Sequence, residues 1–160
     1  MDWKEHLEKI KAKAEENLEK EEVEAKVLAL NLAQKIEDSR KILKEFGSVS
    51  KSRIKFLNQR RRKIDPDTGE PYHAGGVLII IQKKLGLFRQ ILKKQDEPLI
   101  ACLKFPHPVA ILNQEGFEDS IEFIYSDTSR IATISEFTPD WLKQNLEVAY
   151  TLFLNEQKMI

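Results

Sequence analysis

The sequence predicts an α+β fold: a long N-terminal helical arm, either one helix or a broken pair, then a mostly antiparallel sheet and a C-terminal helix packed on that sheet. Three observations carry this. Residues 1–46 contain no glycine or proline and are dominated by Glu, Lys, Ala and Leu, which are strong helix formers. The middle of the chain holds short apolar or alternating runs separated by turn residues, the pattern of antiparallel strands. From Thr138 onward a helix-start signal leads into apolar residues at helical spacing.

Within the arm, Trp3, Leu7, Ile10 and Ala14 recur at spacings of four, three and four, a heptad-like seam. Glu15, Glu16, Asn17, Glu19, Lys20, Glu21 and Glu22 interrupt it, and a broader stripe of Val27, Leu28, Leu32, Ile36 and Leu43 follows. A straight helix over 46 residues would be about 69 Å long, more than a globule of this size can cover. The arm is therefore expected to protrude, break or pair. Residues 15–22 are the expected break or exposed span, and the alternative is a helical hairpin folded on its own sheet. The first half, residues 1–22, is the expected contact for a second copy or a protein partner, through Trp3, Leu7 and Ile10. Gly47 reads as the helix C-cap, with Ser48, Ser50 and Ser52 marking a junction. This divides the chain into an arm, 1–46, and a globular domain, 47–160.

Lys51–Ile64 reads as a strand or as a basic helix, and Lys83–Lys94 as a basic helix or a return strand. Asp65-Pro66-Asp67-Thr68-Gly69-Glu70 predicts a turn, because proline presets φ, aspartate bonds nearby backbone and glycine accepts positive φ. Val77–Ile81 is the clearest central strand, apolar at every position. Leu99–Phe105 and Val109–Leu112 read as two strands interrupted by Pro106-His107-Pro108. Ile121–Tyr125 and Arg130–Phe137 read as a hairpin across residues 126–129. In the last element Thr138 is the N-cap, Pro139 the first helical residue, and Phe137 a staple to Leu142.

The formal charge is zero, yet the charges are segregated. Residues 47–95 hold 12 basic side chains against three acidic, and residues 96–160 hold 4 basic against 11 acidic. Lys51, Arg53, Lys55, Arg60, Arg61, Arg62 and Lys63 are the candidates for phosphate or nucleic-acid contact. The competing expectation is that the acidic C-terminal third neutralises them. A pI of 6.9 is low for a dedicated nucleic-acid-binding domain.

Catalytic and cofactor signatures are sparse. Cys102 is the sole cysteine, which excludes an intrachain disulfide and a multi-thiolate metal site; it reads as a small core residue. His6, His73 and His107 are scattered, and no metal or cofactor is expected. The residues best suited to acid-base chemistry are His73, Tyr72 and Glu70, close in sequence to the arginine run, the composition of a metal-independent nuclease. No apolar run approaches the roughly 20 residues of a membrane span, and the charged start lacks a secretory signal. The expectation is a soluble, cytoplasmic, self-associating or partner-binding interaction protein without enzymatic activity, with nucleic-acid contact through residues 51–63 as an added property. A small phosphate-directed enzyme using His73 is the alternative.

Overall fold

The computed structural model describes residues 2–58, 62–64, 66–73, 76–85, 97–113 and 117–158; at 62, 63, 71–73 and 158 it describes the backbone alone. One helix, α1 (Trp3–Ser50), runs unbroken for 48 residues, about 72 Å at 1.5 Å per residue. The polar tract at 15–22 is thus an exposed span rather than a break, and the helical-hairpin alternative does not hold. Glutamate and lysine are good helix formers, so a helix already nucleated in the packed half propagates through them.

The helix also passes through Gly47 and ends at Lys51, which takes the left-handed conformation at φ 55° and returns its N–H to Gly47 O. Gly47 is therefore not the C-cap. It is buried inside the last turns, where a Cβ would lie 3.0 Å from Ser52 O and 3.1 Å from Ile54 Cγ1. The missing side chain lets the first strand double back against the helix that precedes it. Ser50 closes the junction, its Oγ lying 2.6 Å from Phe46 O and 2.7 Å from Ser52 Oγ.

Seven strands follow among the described residues. The main sheet is antiparallel with five strands in the order β1 (Ser52–Asn58), β4 (Gly76–Lys83), β5 (Leu99–Pro106), β6 (Ile121–Tyr125), β7 (Thr128–Ala132). Residues 52–58 and 62–64 are strands, the first of the two alternatives for 51–64; residues 59–61 lie outside the described residues. Between β1 and β4 the chain makes a small hairpin of β2 (Arg62–Ile64) and β3 (Pro71–His73). Its turn includes Gly69 at φ 71°, as the turn chemistry demands. The helix-or-strand question for Lys83–Lys94 lies outside the described residues beyond Leu85.

Ile79, Ile81, Ala101, Leu103, Phe105, Ile121, Phe123 and Tyr125 are buried and alternate along their strands, so one face of the sheet carries the core. Over it lie the second half of α1, a short helix α2 (Pro108–Leu112) and α3 (Pro139–Lys158). Phe46 of α1 meets Tyr150 of α3 edge-on at 5.5 Å, and Phe105 of β5 meets Phe137 at 5.4 Å. Lys35 donates to Ile134 O and Ser135 O, tying α1 to the loop before α3.

Two expected strands differ. Residues 108–112 form α2, because Pro108 opens it and the His107 ring caps it, Nδ1 accepting from Val109 N at 3.1 Å. Strand β7 begins at Thr128 after a two-residue loop with Ser126 at φ 51°, the positive φ favoured in tight hairpins. It stops at Ala132, because Thr133 Oγ1 accepts from Glu136 N and Asp119 Oδ1 accepts from Ile134 N at 2.8 Å. These side chains give the backbone an alternative to the ladder. Helix α3 starts as expected, with Trp141 N donating to Thr138 Oγ1 at 3.1 Å.

Candidate interaction surface

The second half of α1 is bound to the globule through one face. Ala29, Leu32, Ser39, Leu43, Gly47 and Ser50 are buried, with Ala25, Leu28, Ile36 and Phe46 partly buried beside them. The two serines belong in this row because each returns its hydroxyl to the carbonyl four residues back, Ser39 to Lys35 O at 2.7 Å. Val27, expected in the packing stripe, is exposed. It lies about 140° round the helix from Leu32 at about 100° per residue.

Every described residue of the first half, from Asp2 to Glu24, is exposed. Trp3 is 71% exposed, Leu7 45%, Ile10 54% and Leu18 59%. With Ala14 these side chains occupy a sector of about 80° on the helix surface. That sector coincides with the one through which residues 25–50 pack on the globule, because both sets follow the same phase along one continuous helix. The apolar row of the core thus continues outward, interrupted by Glu21, along a stretch of helix that no other element among the described residues covers. Leu18 belongs to this row and was hidden in the sequence by the glutamates around it; its signal was the further step of four after Ala14. A shorter strip of Val23, Val27 and Leu30, also exposed, lies on the other side of the helix.

The basic segment is split. Lys51 is the exposed cap of α1, and Lys55 is exposed on β1. Arg53 is held by Glu97 through Nε at 2.9 Å and Nη2 at 3.0 Å, which raises the guanidinium's pKa through the hydrogen bonds and the carboxylate's charge. Here one cation of the middle segment is paired with one acid of the C-terminal third. Arg60 and Arg61, and the side chains of Arg62 and Lys63, lie outside the described residues.

The acid-base candidates fall in the β2–β3 hairpin, where the backbone of His73 pairs with Arg62 and that of Tyr72 with Lys63. Their side chains also lie outside the described residues. Glu70 is exposed, its N–H donating to Thr68 Oγ1 at 3.3 Å. Among the described residues no group of three or more His, Cys, Asp or Glu side chains could hold a metal ion.

His107 is buried, with Nε2 lying 2.8 Å from Asn58 Oδ1. Since Nδ1 accepts the backbone N–H of Val109, the proton sits on Nε2 and is donated to Asn58. Asn58 is thereby joined to the turn after β5, a role its sequence position beside the arginine run did not suggest. Cys102 is half-buried on β5, and desolvation pushes its thiol pKa up despite nearby Lys104, so it is a poor nucleophile.

No helix among the described residues is long and apolar enough to cross a membrane. A scan against protein-family models, a search of curated proteins and a search of solved structures each returned no match. The chemistry of the surface itself is therefore the ground for a functional reading.

Proposed function

We propose that the chain is a non-enzymatic interaction protein that associates through residues 3–18 of α1, the globule serving as the body that holds this helix out. The observation that carries the reading is the continuity of the core-facing row into a stretch of helix that is exposed throughout and has no packing partner from another element among the described residues. A single helix of about 20 residues gains little stability in water from propensity alone, and most helices in proteins are stabilised by burying an apolar face. An apolar strip built around Trp3, Leu7, Ile10 and Leu18 has the composition of a helix-docking surface.

The test is a comparison of the full chain with a Leu7→Asp, Ile10→Asp double variant. Both positions are exposed, so the fold and its unfolding transition are expected to persist. Light scattering over a concentration series is expected to give an assembled mass for the parent chain and a monomer mass for the variant. Equal masses would remove the arm from the argument.

A further inference from the structure

Resting on that reading of the arm, we infer that the partner is a second copy of this chain lying antiparallel along residues 3–18, so that the two globules sit at opposite ends of a two-helix bridge. Two independent features point to this arrangement.

The first is steric. The uncovered row and the core-facing row share one side of α1, so each globule lies on the same side of the helix as the seam. Two copies paired in parallel through residues 3–18 would keep their helices about 8–10 Å apart. Both globules, which cover residues 25–50 from the seam side, would then fall into the same space between the two helices. Antiparallel pairing removes the conflict. Each partner arm lies along the exposed row with its Trp3 beside the other chain's Leu18, short of Ala25, where that chain's globule begins to cover the helix.

The second is charge. Residues 3–14 carry four lysines and His6 against two glutamates, whereas residues 15–24 carry six glutamates against one lysine. The side chains closest to the row repeat this polarity: Lys4, His6, Lys11 and Lys13 toward the N-terminus, Glu15, Glu22 and Glu24 toward the globule. Parallel pairing stacks acid on acid at 15–24. Antiparallel pairing removes that stacking and lays the first turn, with Lys4 and His6, along the other copy's Glu15 and Glu16, the kind of complementarity that fixes orientation in paired helices.

The apolar row is compatible with a two-fold axis near Ile10. There the two Ile10 side chains approach each other, Leu7 faces Ala14 and Trp3 faces Leu18, large residues meeting smaller ones. The turn of Lys4 and His6 then runs beside the turn of Glu15 and Glu16 of the other copy. The first covered residue, Ala25, would lie about 44 Å along the axis from its counterpart, so the dimer would act as a spacer between two identical globules.

The experiment uses the full chain with Lys20→Cys and Cys102→Ser, nitroxide-labelled at position 20, which is exposed and points away from the row. Mass by light scattering and the interspin distance by double electron-electron resonance are read on the same sample at 50 and 500 mM salt. A doubled mass, an interspin distance of about 30 Å and a lower dimer fraction at high salt are expected. A doubled mass with a distance under about 20 Å would overturn the antiparallel arrangement while leaving the arm as the associating element. A monomer mass at every concentration up to about 0.5 mM would overturn both. Doubled mass that survives Leu7→Asp with Ile10→Asp would place the contact elsewhere and overturn both as well.

Discussion

The two halves of α1 are one helix with one phase of apolar residues, yet they stand in opposite relation to solvent. From Ala25 to Ser50 the row is closed by the sheet, α2 and α3, and it includes Gly47, Ser39 and Ser50, small residues that allow close approach. From Trp3 to Leu18 the row is mostly larger side chains, Trp, Leu and Ile beside Ala14, and among the described residues nothing closes it. A helix face that is apolar in both halves but tailored for close contact in only one shows that apolar spacing alone does not say where a helix is buried. The lengths of the elements that can reach it decide that.

The largest contrast should appear in amide hydrogen exchange. Amides from Leu32 to Gly47 are expected to open only with global unfolding, whose free energy is about 5–15 kcal/mol in domains of this kind. Those from Leu7 to Leu18 in the monomer should exchange through fraying at a small fraction of that. Comparable protection in the two stretches at the lowest measurable concentration would break the comparison.

Next in size is side-chain truncation. Leu43 is fully buried, and Leu43→Ala is expected to cost about 2–5 kcal/mol in denaturant unfolding. Leu7→Ala in the dilute monomer is expected to fall within about 0.5 kcal/mol of the parent. A large loss at position 7 would mean that the arm is folded against the globule.

A smaller effect, about 1–2 kcal/mol, is expected for Gly47→Ala, where the new methyl would press on Ser52 O and Ile54 Cγ1 and crowding outweighs the gain in helix propensity. Stabilisation by this change would mean that β1 can move away from the helix.

The smallest effect concerns Lys35, near the centre of the buried half. Burial lowers its pKa below 10.5, against a weaker upward pull from Asp119. The unfolded chain therefore holds this proton more tightly than the folded one. Between the lowered folded pKa and 10.5, stability gains a contribution as pH rises. A Lys35→Met variant should lack that part of the slope in unfolding free energy against pH. An identical slope would show that the ammonium is as well solvated in the fold as in the unfolded chain.

The elements legible in the sequence are those whose signals are local. Thr138, Pro139 and the apolar spacing after them specify the start of α3 through backbone capping, which needs no tertiary partner. Val77–Ile81 is apolar at successive positions and β-branched at most of them, and it forms the central part of β4. At two places the local pattern points the wrong way. Gly47 looked like a stop because glycine commonly ends helices, but here it answers to a strand that packs on it. Residues 109–112 looked like a strand because four apolar residues do not reveal a period, and the cap supplied by His107 outweighed strand propensity.

For the candidate surface, Trp3, Leu7 and Ile10 were readable because their spacing belongs to the helix itself. Leu18 was not, since its place in the row depends on the helix remaining unbroken through the glutamates.

By itself the sequence determined the fold class, the helical character of residues 3–46, the turn at Gly69, the strand at Val77–Ile81 and the capped start of the last helix. Each of these rests on interactions within a few residues. The tertiary structure decided that α1 runs unbroken to Ser50, that its core face is aligned with the exposed row, and that Arg53 is engaged by Glu97. Those depend on how far a rigid helix extends beyond the sheet it packs on, and on which residues the sheet brings together across 44 or more positions of sequence.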